Sequence, residues 1–243
     1  MAFEPIVVAR RFHGPPDSGN GGYVSGLLGV RAARLGQAAE VTLRAPIPLD
    51  RPLQLQREGD HLALNDGTTP IATAKPAGDF RLDVPVLPSW NEAVACSQHG
   101  GSGVESEFHQ CFVCGAGRKP GDGLRVLAQH IPARDGKPAM ALAAWQPHDT
   151  FAGPDGTIPP EFLWSALDCP GAVAVLSDDD ERIILTGRMT GQVDHLPRSG
   201  ERCVVAGWAM GGEGRKLYSG TAVVDAAGRV LARAFITWIV VRG

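Results

Sequence analysis

The chain has 243 residues, of which 44% are apolar and 20% charged, and a formal net charge of −3. These values are ordinary for a globular protein of one large or two small domains, and they come without the long basic runs of a nucleic-acid-binding protein or an apolar run that could span a bilayer. The start of the chain lacks a signal-peptide pattern and the five cysteines follow no disulfide framework, so we expect a cytoplasmic protein with reduced thiols.

The first predicted elements are a turn-rich loop, FHGPPDSGNGG from Phe12, and an apolar stretch, YVSGLLGV, that is typical of a buried helix. Four strand-like runs follow: AEVTLRAPI, LQLQREG, HLALNDG and IATAKPA. Several of them alternate between apolar and polar residues, and NDGTTP contains residues typical of a hairpin turn. This part of the chain therefore predicts a helix followed by an antiparallel sheet.

Residues 86–110 are rich in glycine and serine and show no periodicity, which predicts a linker. We place an N-terminal unit at 1–90, the linker at 91–108 and a C-terminal unit at 109–243.

The C-terminal unit repeats the order of the first. FAGPDGTIPPEFLWSALD, from Phe151, aligns without a gap with the eighteen residues from Phe12, at an offset of 139. Strand-like runs follow again: RIILTGRMTGQV, RCVVAGWAM, KLYSGTAVVDAAGRV and LARAFITWIVV. The shared order of loop, helix and strands indicates an internal duplication. A helix that is apolar on all sides requires a sheet curled around it.

One carboxylate, Asp168, lies in the middle of the second apolar helix. Burying an ionised carboxylate costs on the order of several kcal/mol unless it is paired or neutralised. Asp168 could bond a local backbone group, or it could be a functional group whose pKa burial raises.

Several segments resemble known acyl-CoA thioesterases. GNGGYVSGLLGVRAARL, FLWSALD and GRVLARAFITWIV are similar to parts of thioesterase II-like proteins, and CFVCGAGRKPGDGLRV (111–126) resembles the opening of phenylacetyl-CoA-type thioesterases. The resemblance implies an α+β fold, a tandem (double) hotdog in which each half is an antiparallel sheet wrapped around a central helix. It also implies hydrolysis of an acyl-CoA or acyl-carrier thioester at a site between the paired halves.

Carried over to this chain, the site combines the first helix start, Asn20, Gly21 and Gly22, with Asp168. Free N–H groups at a helix start can bind an oxyanion, and Asp168 would act as base or nucleophile. The mirror site would be inactive, because its helix start contains prolines, which lack an N–H, and Gly29 stands in the place of Asp168.

The resemblance also implies a Thr and a Gln that position the water. The corresponding positions fall on Gln192, before Val193-Asp194-His195, and on Thr237, with the two residue types exchanged. Either order supplies a hydroxyl and an amide. Both residues could equally be polar positions on half-exposed strands.

His109, Cys111 and Cys114 lie close together in the sequence. A structural zinc site needs four ligands, and Cys96 or Cys203 would have to come from distant segments. We therefore expect no metal and interpret these residues as small apolar residues at the start of the second unit.

Two other functions remain open, a non-catalytic acyl-CoA-binding protein and an enoyl-CoA hydratase or dehydratase, for which His13 and Asp17 are the available pair. Arg118, Lys119 and Arg125 could contact coenzyme A phosphates or be solvated surface residues. We expect no cofactor other than the coenzyme A of the substrate, no nucleic-acid or membrane partner, and further association into a homo-oligomer.

Overall fold

The computed structural model describes residues 5–177 and 180–242, so residues 1–4 of the predicted N-terminal unit lie outside the described part. The first half consists of six elements. They are β1 (Ile6–Val7), α1 (Gly21–Ala32), β2 (Ala38–Leu43), β3 (Pro52–Glu58), β4 (His61–Asp66) and β5 (Thr69–Pro76).

A helix, α2 (Trp90–Ser97), connects this half to the second one, which has seven elements. They are β6 (Gln129–Ile131), β7 (Met140–Trp145), α3 (Pro160–Val175), β8 (Ile183–Val193), β9 (Cys203–Glu213), β10 (Lys216–Asp225) and β11 (Val230–Arg242).

The described strands form one antiparallel sheet in the order β1-β3-β4-β5-β2-β8-β11-β10-β9-β7-β6. The two halves join at its centre, where β2 pairs with β8 and Val41 lies opposite Met189. Outward from this junction, β5, β4, β3 and β1 on one side correspond to β11, β10, β9 and β7 on the other. This arrangement, with one long helix in each half, is the predicted double hotdog.

The helices of the two halves begin at equivalent positions. α1 begins at Gly21 and α3 at Pro160, which are 139 residues apart, the offset found in the sequence. The loops before them are also alike, because Gly14 N–H donates to the Ser18 carbonyl (3.0 Å) and Gly153 N–H to the Thr157 carbonyl (2.8 Å). The similarity in sequence therefore corresponds to a similarity in backbone conformation.

Both long helices pack into one apolar core that extends through the two halves. Val24 and Leu28 of α1 are fully buried in it, as are Leu163 and Leu167 of α3. The helices approach each other closely, since a Cβ on Gly26 would lie only 2.8 Å from the Cα of Glu161. Small residues on α1 thus set the distance between the halves.

The predicted linker is not irregular throughout, because α2 overlaps its first part. Ser89 and Glu92 cap this helix reciprocally: Glu92 N–H donates to Ser89 Oγ (3.4 Å) and Ser89 N–H to Glu92 Oε2 (2.7 Å). Ala93 packs with Val204 and Ala206, whereas Val205 faces the main core. The connecting helix therefore covers the outer face of the second half of the sheet.

The turns agree with the sequence patterns. Gly67 in NDGTTP and Gly228 in DAAGRV have φ angles of 57° and 82°, a left-handed conformation that favours glycine. Across the described ranges, no helix is both long and apolar enough to cross a membrane.

Candidate functional site

Asn20 is the N-cap of α1, and its side chain has two roles. Its Oδ1 accepts a hydrogen bond from Tyr23 N–H (2.9 Å), which fixes the amide plane. The Nδ2 atom then points away from the helix and donates to Asp168 Oδ2 (3.2 Å) and to Cys111 Sγ (3.8 Å). The same residue therefore caps the start of α1 and connects this helix to α3.

The next two residues bring the α1 backbone to the Asp168 carboxylate. Gly22 N–H donates to Asp168 Oδ2 (3.0 Å), and a Cβ on Gly22 would lie 2.5 Å from the Cβ of Asp168. Gly21 N–H makes no hydrogen bond within the described part of the chain. Gly21 also borders a large cavity that lies between the two halves. Position 22 therefore requires glycine for this close approach. The backbone N–H of Gly21 remains a free hydrogen-bond donor.

Asp168 is 4% exposed and accepts a third hydrogen bond, from Thr186 Oγ1 to Oδ1 (2.7 Å). Burial raises the pKa of Asp168 to about 6, although the hydrogen bonds from Thr186, Gly22 and Asn20 oppose the shift. The carboxyl group is thus held in one orientation and has a raised pKa.

The two carboxylate oxygens differ in their remaining capacity to accept hydrogen bonds. Oδ2 accepts from Asn20 and Gly22, whereas Oδ1 accepts from Thr186 alone. Because each carboxylate oxygen has about two lone-pair positions, the vacant one lies on Oδ1. Oδ1 therefore has the capacity to accept one further hydrogen bond.

Asp168 lies at the wall of a cavity of about 700 Å³ between the halves. Apolar side chains from both halves line much of it: Leu43, Ile47, Ala172, Leu176, Ile184 and Trp238. This volume is in the usual range for a pocket that binds a small organic ligand, about 300–1,000 Å³.

The cavity also has charged and titratable residues in its wall. Arg44 is exposed and makes no side-chain hydrogen bond or ion pair with the described residues, whereas Arg182 is paired with Asp180 (2.6 Å). His99 and His130 also line the cavity. Arg44 is therefore the cationic side chain here that remains available to a ligand.

The basic residues considered from the sequence lie elsewhere. Arg118 is buried, donates to the Gln110 carbonyl (2.8 Å) and pairs with Asp122, while Arg125 donates to the Ala116 carbonyl (3.0 Å). Neither these two residues nor Lys119 is among the described residues that line the cavity. Arg118 and Arg125 instead hold the loop that follows Cys114.

At the equivalent place in the other half, a tryptophan fills the space. A Cβ on Gly29, the counterpart of Asp168, would lie 2.7 Å from the Trp164 ring, and one on Gly191 would lie 2.9 Å from it. Only a small cavity of about 130 Å³ remains there, beside Pro160. The two halves thus form one large cavity with a carboxylate and one small cavity without it.

Among the described residues, neither Gln192 nor Thr237 makes a hydrogen bond to Asp168. Gln192 Nε2 donates to Asp194 Oδ1 (2.6 Å), and Thr237 lies on β11 opposite Arg188 of β8. Neither is among the described cavity-lining residues. The hydroxyl at the carboxylate belongs to Thr186, which the sequence comparison missed.

A bulge in β8 explains why Thr186 was difficult to recognise. Thr237 pairs with Arg188 and Trp238 with Thr186, so Gly187 is an extra residue without a partner. The bulge changes the alternation of the strand: Ile184 is buried before it, and Met189 and Val193 are buried after it. Counting back from Val193 therefore assigns Thr186 to the wrong face.

The fold and the site define the chain as a double-hotdog protein with one composite cavity. Neither a protein-family model nor a curated protein matches the sequence.

Solved structures show the fold. One is acyl-CoA thioesterase II TesB2 from Mycobacterium marinum, with a TM-score of 0.62, 11% identity, and coverage of 98% of this chain and 92% of that one. A putative thioesterase from Novosphingobium aromaticivorans has a TM-score of 0.62, 11% identity, and coverage of 97% and 94%. A putative thioesterase II from Thermobifida fusca has a TM-score of 0.57, 16% identity, and coverage of 93% and 88%.

Proposed function

We propose that this protein is a thioesterase that hydrolyses an acyl-CoA or acyl-carrier thioester at the composite cavity. The observation that carries the proposal is the buried carboxylate of Asp168, held by donors from both halves at the wall of that cavity. Proteins named as thioesterases share the fold, which supports the reaction type. The proposed reaction needs no cofactor, since coenzyme A enters as part of the substrate.

In this reaction, Asp168 acts as the general base. Its vacant Oδ1 position accepts a proton from water, and the water oxygen attacks the thioester carbonyl. The negative charge that develops on the carbonyl oxygen is stabilised by the free N–H of Gly21 at the start of α1. Collapse of the tetrahedral intermediate then breaks the C–S bond, and Asp168 returns its proton to the departing thiolate, which gives the free thiol and the carboxylic acid.

Asp168 could instead attack the carbonyl directly and form an anhydride with the acyl group. The three hydrogen bonds that fix the carboxylate favour the base mechanism, because they leave it little freedom to move toward a carbon atom. Label in the Asp168 carboxylate after a single turnover in ¹⁸O-labelled water establishes the nucleophilic mechanism, because it requires attack of water on the Asp168 carbon of the anhydride.

The cavity supports a substrate with a largely apolar acyl group and a negatively charged coenzyme A portion. Apolar residues from both halves surround the space, and the unpaired Arg44 lies at its wall. A coenzyme A phosphate is a suitable partner for this guanidinium. Replacing Arg44 with Ala should raise KM for acyl-CoA by about tenfold, a change of about 1.4 kcal/mol, with little effect on kcat.

The deciding experiment measures thiol release from a panel of acyl-CoAs by the wild type, Asp168→Asn and Asp180→Asn. We expect Asp168→Asn to lower kcat by roughly 10²–10⁴-fold, the contribution of a general base. Asp180→Asn is the matched control, because this second carboxylate of the cavity wall is already paired with Arg182. An Asp168→Asn variant that keeps full activity excludes the mechanism.

A non-catalytic acyl-CoA-binding protein is the second candidate, and one observation favours it. Three donors already satisfy most of the Asp168 carboxylate, so the group could simply hold the halves together. Saturable acyl-CoA binding without thiol release from any substrate of the panel would establish that function.

The hydratase alternative has little support in the geometry. His13 and Asp17 are not among the described cavity-lining residues, and Asp17 is exposed. Addition of water to an enoyl-CoA, followed by absorbance, tests it directly.

A further inference from the structure

Three thiols that are distant in sequence meet at the wall of the cavity. The sulfur atoms of Cys111, Cys114 and Cys169 all lie within 4.8 Å of one another, and those of Cys111 and Cys169 are 3.8 Å apart. Cys169 comes from α3 and the other two from the loop that opens the second half. The sequence showed only the CxxC pair, because the third thiol approaches through the fold.

These distances are suitable for a metal ion. Three thiolates at about 2.3 Å from a tetrahedral Zn²⁺ have sulfur–sulfur separations of roughly 3.8 Å. The Cys111–Cys169 distance already has this value, and a small contraction would bring Cys114 to it. No large movement of the backbone is needed to form the site.

The backbone of the CxxC segment supports this arrangement. Gly115 N–H donates to the Cys111 carbonyl (3.0 Å), which closes a tight turn between the two cysteines. A Cβ on Gly115 would lie 2.6 Å from that carbonyl oxygen, so the turn requires glycine. The turn presents Cys111 and Cys114 on the same side, toward Cys169.

Polar groups around the cluster are placed to stabilise thiolates. Asn20 Nδ2 donates to Cys111 Sγ (3.8 Å), and Ser102 Oγ lies 3.4 Å from Cys114 Sγ. Such hydrogen bonds from neighbouring groups are typical of metal sites, where they orient the ligands and stabilise their charge. A purely apolar packing of three cysteines would not need them.

We propose that Cys111, Cys114 and Cys169 bind a thiophilic metal ion, with Zn²⁺ as the representative ion. All three residues line the main cavity, so the remaining coordination position would face it. Binding converts the thiols to thiolates and releases their protons to the solvent. The site shares Asn20 with the proposed hydrolytic site, because Asn20 Nδ2 donates to both Cys111 Sγ and Asp168 Oδ2, but metal binding itself does not require hydrolysis. The proposal departs from the expectation of no metal.

The test uses the full chain, reduced, stripped with a chelator and kept under anaerobic conditions. Co²⁺ is added as the spectroscopic probe. We expect a thiolate-to-cobalt charge-transfer band that saturates at one equivalent and disappears when Zn²⁺ is added. The absence of this band from folded wild-type protein overturns the proposal, as does a disulfide between two of the three cysteines that persists in reductant.

Variants assign the ligands. Cys111→Ser and Cys169→Ser should each weaken Zn²⁺ binding at least tenfold in competition with a chromophoric chelator. Cys96→Ser is the control, because Cys96 lies on α2 outside the cluster. If the serine variants bind Zn²⁺ as tightly as the wild type, the cluster is not the site.

Alkylation gives a second readout that needs no variant. Zn²⁺ should protect Cys111, Cys114 and Cys169 from alkylation, as mapped by mass spectrometry, and should leave the reactivity of Cys96 unchanged. Equal labelling of the three thiols with and without Zn²⁺ contradicts the proposal. These readouts do not depend on hydrolysis, so an inactive protein could still have the metal site, and an active one could lack it.

Discussion

The backbone N–H of Gly22 donates a 3.0 Å hydrogen bond to the side chain of Asp168, a residue 146 positions later in the chain. This contact joins the start of one long helix to the middle of the other. It lies at the wall of the large cavity, and the proposed chemistry depends on it. Four predictions test this contact and the residues that line the two cavities.

The first prediction concerns the Thr186 hydroxyl, which donates a hydrogen bond to Asp168. Thr186→Val removes the 2.7 Å hydrogen bond to a buried carboxylate, which should lower kcat by about tenfold or more and move the pKa of the base upward. Thr186→Ser retains the hydroxyl and should recover most of the rate. Steady-state kinetics of both variants over a range of pH provides the measurement.

Gln192→Ala and Thr237→Val complete this experiment, because these are the residues to which the family comparison assigned the role. The observed positions predict that neither change lowers kcat by more than about twofold, a difference of roughly 0.4 kcal/mol. A large loss in either variant, with Thr186→Val fully active, would return the role to the residues chosen from the sequence.

The second prediction concerns the space at Gly22. Gly22→Ala places a Cβ 2.5 Å from that of Asp168, so α1 and α3 must separate. We expect a loss of about 1–3 kcal/mol in the free energy of unfolding, which is typical of overpacking, together with loss of hydrolysis. Chemical denaturation measures the first and thiol release the second.

Gly103→Ala is the matched control, since a Cβ there meets no atom within 4 Å and the residue has no left-handed φ. Its stability should stay within about 0.5 kcal/mol of the wild type, as for most surface substitutions. Equal effects of the two alanines would show that the close approach at Gly22 is unimportant.

The third prediction is a dependence of stability on pH, measured on chelator-treated, reduced protein. The pKa of Asp168 rises from 3.8 to about 6 on folding, so the folded chain binds this proton more tightly than the unfolded chain. The stabilisation due to the protonated group is complete below about pH 4 and is lost as the pH rises to about 6. The loss is about 3 kcal/mol, at about 1.4 kcal/mol for each tenfold change in the ionisation equilibrium.

Asp168→Asn cannot ionise and should lack this loss. The free energy of unfolding of the variant, relative to that of the wild type, should therefore increase by up to about 3 kcal/mol between pH 4 and pH 7. Urea denaturation over this range measures it, and a constant difference would show that the pKa is not raised. The same titration predicts that kcat/KM of the wild type falls below about pH 6, where the base becomes protonated.

The fourth prediction concerns the tryptophan in the smaller cavity. Trp164→Ala leaves an empty space beside Gly29 and Gly191 and should destabilise the protein by about 3–5 kcal/mol. It should not create a second hydrolytic site, because no carboxylate replaces Gly29. Thermal unfolding tests the first part, and thiol release by the double variant Trp164→Ala, Asp168→Asn tests the second. Hydrolysis that is lost in Asp168→Asn but recovered in the double variant would contradict the assignment of one site per chain.

Much of the fold was predictable from the sequence because its signals are local. The buried helices and the alternating strands each have their own periodicity, and the 139-residue offset relates the two halves. The helix α2 was missed although Ser89 and Glu92 have the spacing of a capping box. The high glycine and serine content of the surrounding segment masked this short signal.

The arrangement of residues around Asp168 was predictable where it depends on helix starts and not where it depends on strand geometry, and the catalytic roles of these residues stay predictions. Asn20, Gly21, Gly22 and Asp168 meet because equivalent helices pair in the two halves. Thr186 depends on the bulge at Gly187, and a single extra residue in a strand leaves no clear pattern in the sequence. Cys169 joins Cys111 only through the packing of α3, which no local spacing encodes.

The different contents of the two cavities make the halves of this chain non-interchangeable. A molecule assembled from two copies of the first half would have glycine in place of the acid, and one assembled from two copies of the second would have Pro160 in place of the amide of Gly21. Neither of these two assemblies would contain both the Asp168 carboxylate and the Gly21 amide. Because the two halves are covalently connected, every chain contains one Asp168 carboxylate and one Gly21 amide, in a fixed ratio of one to one.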